Sequence, residues 1–221
     1  MVSVMPCTAK KAEILRPESA TYGVRDVDFS MTTSELLDMM AQAGLTMENC
    51  PSAEADAPFS YGSGGGTIFG ATGGVAEAVL RYLSPKLGHA DIRWIESSGV
   101  RGPEGSKRAQ VLLGERKIRM AVVSGLKNAE ELLRRIESGD EQAELIEVMA
   151  CPGGCVMGGG QPADEYTVCR DLAQRSCGLY ATDEDSPIRC AQDNRPLEDL
   201  RNKLICADGH TLLHRNAEHS A

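Results

Sequence analysis

Residues 145–160 read LIEVMACPGGCVMGGG, a predicted strand that runs directly into a loop of cysteine and glycine. Its first six residues are mostly apolar, which is typical of a short strand. A cysteine loop follows at once, with Cys151 and Cys155 separated by Pro152 and two glycines. In sheets with parallel strands, chemistry collects in the loops just beyond the carboxyl ends of the strands. We therefore expect a functional site directly after this strand.

Predicted strands alternate with predicted helices along the rest of the chain. The first half of the chain predicts a buried strand over 2–5, a helix over 33–43, a glycine-rich loop over 49–66 and a helix over 75–83 that ends before Pro85. The helix over 33–43 is opened by a capping box from Thr32 to Glu35 and stopped by Gly44. The second half predicts paired strands over 107–113 and 117–124, a helix over 129–138 capped by Asn128, a strand over 145–150 and a largely helical segment over 164–205. This alternation predicts an α/β fold, with a layered, mainly parallel sheet flanked by helices.

The composition of the 221-residue chain excludes several classes of protein. Lys and Arg number 23 against 32 Asp and Glu, and the net charge of −9 argues against a nucleic-acid surface and a polybasic membrane anchor. The sequence has no run of about 18 apolar residues, so we expect no membrane span. It shows no secretory signal, so we expect a cytoplasmic protein whose 8 cysteines are reduced thiols, metal ligands or small buried side chains.

The spacing of Cys151 and Cys155 favours a metal cluster over other uses of cysteine. A chain that wraps closely around an inorganic cluster needs glycine, which lacks a Cβ, and N–H groups directed at sulfide. Structural zinc sites usually take two cysteine pairs with shorter spacing, and a redox pair has only two residues between its thiols. Iron–sulfur ligation is the preferred interpretation, and a glycine turn with two buried cysteines stays as the alternative.

A second cysteine loop, at residues 5–13, reads MPCTAKKAE and follows the predicted N-terminal strand. Cys7 alone is weak support for a site, because a single cysteine is usually a small core residue. Lys10 lies three residues further on, where it could place a cation beside an anionic cofactor. Lys10 and Lys11 could equally be solvated surface charges.

Together, the two cysteine loops resemble the second and third cluster-binding signatures of the [FeFe]-hydrogenases. The matches are MPCTAKKAE at residues 5–13 and EVMACPGGCVMGGGQP at residues 147–162. Further stretches that resemble the catalytic domain of this family are 68–75, 77–78, 100–102, 121–126, 178–180 and 212–214. The resemblance covers almost the whole of residues 1–221 and implies the C-terminal portion of the two-lobed hydrogenase catalytic domain.

This resemblance implies an iron hydrogenase that catalyses H2 ⇌ 2H+ + 2e− at an H-cluster. The H-cluster is a 4Fe–4S cubane joined to a diiron unit that carries CO, cyanide and a dithiolate bridge. By motif position, Cys7 and Cys151 are expected to ligate the cubane, and the sulfur of Cys155 is expected to bridge to the diiron unit as well. An electron carrier such as ferredoxin and the cluster maturases are the implied partners.

The resemblance implies roles for five further residues, and three of them are candidate catalytic residues. Lys10 is expected to hydrogen-bond a cyanide of the diiron unit through a charge-assisted contact in a dry pocket. Met5 and Met149 are expected to pack around that unit with their polarizable sulfur atoms. Pro6 and Ala150 match backbone positions that line the same pocket.

One departure from the family pattern changes the expected activity. The first cluster-binding signature, a Thr-Ser-Cys-x-Pro type of loop that supplies the fourth cubane ligand, does not occur in residues 1–221. We expect it to belong to a missing N-terminal part of the domain, so that this chain alone is incomplete and inactive. The alternative function is a non-catalytic iron–sulfur sensor or cluster-assembly protein, against which Lys10, Met5 and Met149 argue.

Other cysteines and histidines carry weaker signals. Five cysteines have no assigned role: Cys50, Cys169, Cys177, Cys190 and Cys206. Neither their spacing nor the resemblance marks one of them as a replacement ligand, so their roles stay open. His210 and His214 have i,i+4 spacing, but we expect packing residues rather than a metal site. The glycine run at 62–66 lacks a phosphate-loop pattern, so we do not expect nucleotide binding.

Overall fold

The computed structural model describes residues 1–56, 61–87, 92–96, 98–102, 104–162 and 168–205. The chain divides into two units. Unit 1 comprises Met1–Tyr61, Gly159–Pro162 and Arg195–Ala221, and unit 2 comprises Gly62–Gly158 and Ala163–Asn194. The second cysteine signature therefore continues from unit 2 into unit 1 between Gly158 and Gly159.

Unit 1 contains two short sheets. Its first elements are β1 (Val2–Met5), α1 (Lys10–Glu13), β2 (Ala20–Thr21), β3 (Val24–Arg25), β4 (Phe29–Thr32) and α2 (Thr33–Gln42). β1 pairs in parallel with β4, and β2 pairs antiparallel with β3. The predicted capping box is confirmed, because the Thr32 hydroxyl accepts from Glu35 N and the Glu35 carboxylate accepts from Thr32 N.

The strand predicted over residues 2–5 is confirmed, but the prediction that it is buried is wrong. Val2 and Val4 are 57% and 45% exposed. Exposed and half-buried residues alternate along β1, so one face of this two-stranded sheet is left uncovered by the described residues. The carboxyl end of β1 leads into the Cys7 loop, as the sequence predicts.

Unit 2 is built around a three-stranded sheet. Its elements are α3 (Gly64–Thr67), α4 (Gly74–Leu87), α5 (Ile92–Glu96), β5 (Ser106–Leu113), β6 (Arg116–Ser124), α6 (Leu126–Glu137), β7 (Leu145–Met149) and α7 (Val168–Asp185). β5 and β6 form the predicted pair of strands, antiparallel about Gly114, which has a positive φ of 62°. β6 and β7 pair in parallel, with Ser124 opposite Met149 at their carboxyl ends.

The core of unit 2 lies on both faces of this sheet. Met120 and Val122 of β6 pack against side chains of α4 and α5 on one face. Ala121 and Val123 point to the other face, where they pack against Leu132 of α6. All of these side chains are buried, as expected for a central strand whose alternate residues face two layers of helix. The predicted α/β fold class, with parallel pairing and flanking helices, is confirmed.

Helix α4 continues through Pro85, so the prediction that it ends before this proline is wrong. Proline has no N–H group, which leaves the carbonyl of Arg81, four residues earlier, without its helical donor. The side-chain amide of Gln192 donates to that carbonyl at 3.1 Å. A donor from outside the helix therefore replaces the hydrogen bond that proline removes.

The N-terminus of α6 also differs from the prediction. The helix begins at Leu126 with Gly125 as its N-cap, so Asn128 is not the cap. The Asn128 amide instead donates to the carbonyl oxygens of Ser124 at 2.7 Å and Gly105 at 3.2 Å. Asn128 therefore ties the start of the helix to the end of β6.

Part of the loop predicted over 49–66 is helical. α3 begins at Gly64, and the Ser63 hydroxyl caps it by accepting from Gly66 N at 3.2 Å. A Cβ on Gly64 would lie 2.1 Å from Asp183 Oδ1 of α7. Gly64 thus permits α3 and α7 to pack closely, a role of this glycine run that is separate from phosphate binding.

The C-terminal segment is largely helical, as predicted for residues 164–205. After α7, a 3-10 turn at Ala191–Asp193 leads to α8 (Arg195–Leu200) and a π-helical turn at Arg201–Ile205. Three residues considered in the sequence lie outside the described residues: Cys206, His210 and His214. Their predicted roles stay predictions.

Candidate metal centre

The second cysteine loop, residues 151–155, leaves β7 beside the carboxyl end of β6. Gly125 N donates to Met149 O at 2.8 Å, which joins the ends of the two strands. Gly153 N donates to the buried Ser124 hydroxyl at 3.2 Å, which joins the loop itself to β6. The loop therefore lies where the sequence predicts it, at the carboxyl ends of parallel strands.

Two consecutive glycines turn the chain between the two thiols of this loop. Gly153 and Gly154 have φ values of 84° and 94°, in the region that favours glycine. A Cβ on Gly154 would lie 2.7 Å from Thr72 N, and a Cβ on Gly153 would lie 2.7 Å from Leu172 Cδ1. The backbone conformation therefore favours glycine at both positions, and the close backbone neighbour also requires it at Gly154.

The two cysteines of the turn suit a metal cluster. Cys151 and Cys155 are both half-buried. Gly154 N donates to Cys151 O at 3.1 Å, which closes the turn, and a 3-10 turn at Cys155–Met157 follows. Two soft sulfur donors on a tight turn without Cβ bulk fit the ligation of an iron–sulfur cluster.

Glu147 fixes β7 to the N-terminus of α4, four residues before Cys151. Its carboxylate is buried and accepts from Gly73 N at 2.6 Å and from Ala76 N at 2.8 Å. A negative charge is favourable there, because the first N–H groups of a helix lack helical partners. No role is predicted for Glu147 from the sequence, although a carboxylate inside an apolar strand is a signal for one.

Lys107 supports the backbone that contacts the second cysteine loop. Its ammonium group donates to Thr72 O at 3.1 Å and to Gly102 O at 2.9 Å. Burial lowers the pKa of Lys107, and the nearby charge of Glu147 opposes that shift. Thr72 N in turn donates to Gly153 O at 3.2 Å, so the lysine holds a segment that is bonded directly to the loop.

The first cysteine loop lies in unit 1, directly after β1. Gly160 N donates to Pro6 O at 3.0 Å, and Ser34 N donates to Gly160 O at 3.0 Å. A Cβ on Gly160 would lie 2.8 Å from Thr32 Cβ and 3.1 Å from Cys7 N. The glycine tail of the second signature therefore packs on the backbone of the Cys7 loop, and only glycine leaves room for this contact.

Lys10 has a carboxylate partner of its own. Its Nζ lies 2.7 Å from Glu13 Oε1 and 2.6 Å from Glu13 Oε2, and its side chain is 36% exposed. Lys11 pairs instead with Glu35 of α2. The two neighbouring lysines therefore differ in their surroundings, and the contact of Lys10 with a cyanide stays a prediction.

The predicted site residues fall into two groups, one in each unit. Unit 1 holds Met5, Pro6, Cys7 and Lys10. Unit 2 holds Met149, Ala150, Cys151 and Cys155. All of them are half-buried except Ala150, which is exposed. That the three cysteines bind one cluster stays a prediction.

Unit 2 also contains a largely buried group of charges, called the ionic cluster, which no local sequence pattern predicts. Its members are Glu77, Arg81, Glu96, Arg101, Asp183 and Arg189. Arg81 is 1% exposed, and its Nη1 and Nη2 each lie 2.7 Å from an oxygen of Asp183. Arg189 contacts Asp183 at 2.6 Å, and Arg101 contacts Glu77 at 2.7 Å.

The ionic cluster is a structural feature rather than a cation site. Its three carboxylates lie within 4.8 Å of one another, which is close enough to share a metal ion. Each of them is paired with an arginine, and three arginines balance three carboxylates. Because the pairs join α4, α5 and α7, this cluster holds these three helices of unit 2 together.

Comparison with known proteins identifies the family. Residues 1–159 match the family described as iron only hydrogenase large subunit, C-terminal domain. The chain belongs to this iron-only hydrogenase family. The match includes both cysteine loops, and the resemblance seen in the sequence is therefore confirmed.

Relatives of this hydrogenase-family chain include both hydrogenases and assembly proteins. The NADP-reducing hydrogenase subunit HndD of Solidesulfovibrio fructosivorans is 39% identical, over 97% of this chain and 37% of its own length. The cytosolic iron-sulfur assembly component 3 of Rattus norvegicus is 31% identical, over 84% of this chain and 41% of its own length. The solved structure of the [FeFe]-hydrogenase HydA1 from Chlamydomonas reinhardtii aligns with a TM-score of 0.74 and 30% identity, over 93% of this chain and 58% of that chain.

This chain matches less than half of the length of these two relatives. The hydrogenase-family chain spans 37% of HndD and 41% of the rat assembly component. Among the helices of the described residues, none has the length and apolar character that crossing a bilayer requires.

The remaining cysteines differ in exposure. Cys50 and Cys177 are exposed, and Cys190 is buried. Burial raises the pKa of the Cys190 thiol. The side chain of Cys169 and the whole of Cys206 lie outside the described residues.

Proposed function

We propose that this chain forms the cluster-binding part of an [FeFe]-hydrogenase and takes part in the reaction H2 ⇌ 2H+ + 2e−. The observation that carries the proposal is the turn between Cys151 and Cys155, at the carboxyl ends of β6 and β7. Its two glycines both have a positive φ, and backbone atoms leave no space for a Cβ on Gly154. Cys7, at the carboxyl end of β1, adds a third thiolate from the other signature.

The proposed cofactor is an H-cluster, with a 4Fe–4S cubane and a diiron unit that carries CO, cyanide and a dithiolate bridge. When bound, it supplies the metal chemistry by which H2 is split or formed. Cys7, Cys151 and Cys155 would hold the cubane through their thiolates, and Cys155 would hold the diiron unit as well. Met5 and Met149 pack against that unit and exclude water from it.

Lys10 serves the diiron unit by donating a charge-assisted hydrogen bond to a cyanide. Its ammonium group, paired with Glu13, is held at the first turn of α1, three residues after Cys7. Pro6 and Ala150 line the pocket with their backbones. Protons and H2 are the substrates, a carrier such as ferredoxin exchanges electrons, and cluster maturases load the site in the cytoplasm.

A second candidate function is cluster assembly without hydrogen turnover. It is favoured by the 31% identity to the cytosolic iron-sulfur assembly component 3 of Rattus norvegicus. Such a protein needs the cysteine thiols but has no use for groups that contact a diiron unit. Lys10, Met5 and Met149 are groups of that kind, so the hydrogenase is the better supported of the two proposals.

Anaerobic reconstitution of the purified chain with ferrous iron and sulfide tests cluster binding. We expect Cys151→Ser and Cys155→Ser each to lower the bound iron by about half or more, because a cluster held by soft thiolates is weakened when one is replaced. Cys50→Ser is the matched control, since Cys50 is exposed and lies outside both loops. Its bound iron is expected to equal that of the parent chain. Equal iron in all the variants would contradict the proposal.

A chimera with HydA1 separates the two candidate functions. Residues 1–162 of this chain replace the matching segment of HydA1, and the chimera is produced together with the cluster maturases. We expect infrared bands of iron-bound CO and cyanide, and H2 evolution with a chemical reductant. Lys10→Met is expected to lower H2 evolution about tenfold or more, because a hydrogen bond to a charged group contributes about 1.5–3 kcal/mol.

Lys11→Met is the matched control for this chimera. It removes the same charge at the neighbouring position, whose partner is Glu35, and is expected to keep the parental rate. Equal losses in the two lysine variants would contradict the role of Lys10. A chimera that contains a cubane but lacks the CO and cyanide bands would favour the assembly protein.

A further inference from the structure

Two buried side chains of opposite charge lie in one row of the unit 2 sheet. Lys107 of β5 is opposite Val122 of β6, and Val122 is in turn opposite Glu147 of β7. Residues that are directly opposite in a sheet point their side chains to the same face. Lys107 and Glu147 are each 7% exposed. Both therefore lie on the face where Val122 packs against α4.

These two side chains, called the charge pair, hold one peptide group between them. The Lys107 ammonium donates to the carbonyl oxygen of Thr72 at 3.1 Å. The N–H of Gly73 belongs to the same peptide group and donates to the Glu147 carboxylate at 2.6 Å. A positive charge at the oxygen and a negative charge at the nitrogen match the dipole of the peptide group. The charge pair therefore fixes the orientation of this peptide group.

The peptide group held by the charge pair leads directly to the second cysteine loop. Thr72 N donates to Gly153 O at 3.2 Å, and Gly153 lies in the turn between Cys151 and Cys155. Thr72 is thus bonded to Lys107 through its carbonyl and to the turn through its N–H. A shift of Thr72 would move the bonded turn as well, so the charge pair supports the position of both thiols.

Lys107 is a buried cation whose hydrogen-bond partners are neutral. Besides Thr72 O, its ammonium donates to Gly102 O at 2.9 Å, and it forms no ion pair within the described part of the chain. Burial lowers the pKa of Lys107, while attraction to Glu147 and Glu104 favours its charged form. A buried positive charge without a directly paired carboxylate stabilises negative charge near it, and an iron–sulfur cluster with thiolate ligands is anionic.

We propose that the charge pair positions the turn between Cys151 and Cys155 and sets the reduction potential of the iron–sulfur cluster bound there. The inference rests on the proposed function, because it concerns a cluster held by these two thiols. Reduction by one electron adds a negative charge to the cluster, which the positive charge of Lys107 favours and the negative charge of Glu147 opposes. Removing one charge or the other is therefore expected to shift the potential in opposite directions.

A redox titration of the reconstituted chain with dithionite, followed by EPR, tests the charge pair. For Lys107→Met we expect the ratio of reduced to oxidised cluster at the parental midpoint potential to fall about tenfold, which for one electron is a shift of about 59 mV to lower potential. For Glu147→Gln we expect a shift to higher potential. In the double variant the two shifts are expected to offset each other. Lys107→Arg keeps the charge and is expected to stay close to the parental potential.

Lys117→Met is the matched control for the loss of a lysine charge. Lys117 is exposed near the amino end of β6, where water and salt screen its charge, so this variant is expected to keep the parental potential. A purely structural role of the charge pair would weaken iron binding in both variants without potential shifts of opposite sign. Unchanged potentials, or shifts in the same direction, would overturn the inference.

The outcomes separate this inference from the proposed function. If the variants of the charge pair keep the parental potential while Cys151→Ser loses iron, the inference fails and the proposed function stands. If Cys151→Ser and Cys155→Ser both keep parental iron, the proposed function fails as well. If Lys107→Met binds no iron, Glu147→Gln decides alone. Its shift to higher potential then supports the inference, and a parental potential overturns it.

Discussion

Replacing Arg81 with alanine is expected to lower the free energy of unfolding by about 3–5 kcal/mol, the range typical of a broken buried ion pair. The side chains of Asp183 and Glu77 are both 0% exposed and lose their central partner in this variant. Without the arginine, both carboxylates stay buried with less positive charge beside them, which is unfavourable. Urea denaturation followed by circular dichroism measures the loss.

Arg134→Ala is the matched control for the buried arginine. Arg134 pairs with Glu130 at the surface, and the two side chains are 64% and 63% exposed. Exposed pairs contribute about 1 kcal/mol or less, so this variant is expected to unfold at nearly the parental urea concentration. Equal destabilisation by the two substitutions would contradict the importance of the ionic cluster.

The pH dependence of the Arg81→Ala variant follows from Asp183. Burial alone raises the pKa of Asp183, but hydrogen bonds from Arg81 and Arg189 outweigh it and hold the pKa below its ordinary value of 3.8. Such a carboxylate contributes its full stabilisation above the ordinary value and loses it as the pH falls through the folded-state pKa. We therefore expect the stability difference between parent and variant to be complete at about pH 7 and to narrow in more acidic solution.

Gly154→Ala is expected to abolish iron binding in reconstitution and to lower the free energy of unfolding by about 3 kcal/mol or more. The φ of 94° is unfavourable for a residue with a Cβ. The added Cβ would also lie 2.7 Å from Thr72 N and 2.9 Å from Gly70 O, and neither backbone atom can move freely. The turn must therefore shift, and the two thiols that flank it shift as well.

Gly139→Ala separates backbone strain from the steric clash. Gly139 has a comparable φ of 81°, but a Cβ there would meet nothing within 4 Å. We expect this variant to lose only about 1–2 kcal/mol and to bind iron like the parent. If Gly154→Ala behaved like Gly139→Ala in both measurements, close packing of the turn would not explain its glycines.

Local signals predicted the parts of the fold that depend on neighbouring residues. The capping box from Thr32 to Glu35, the hairpin about Gly114 and the strand before Cys151 are each specified within about twenty residues. The two cysteine loops could be predicted for the same reason, because the cysteines and glycines of each loop lie close together in the sequence. Their positions after β1 and β7 followed from the alternation of strands and helices.

Features that depend on distant partners could not be predicted in this way. Pro85 stays within α4 because Gln192, more than one hundred residues later, bonds the carbonyl of Arg81. Asn128 bonds Gly105 instead of acting as a cap. The ionic cluster joins residues from three helices, and no local pattern distinguishes its arginines from solvated ones.

The turn between Cys151 and Cys155 is held in place by the Ser124 hydroxyl and the Thr72 N–H, groups supplied by the polypeptide itself. Its conformational entropy is therefore lost during folding, and little remains to be lost when metal arrives. A cluster that bound at this turn would meet a preorganised loop, so the folding of the loop would not have to wait for the cluster.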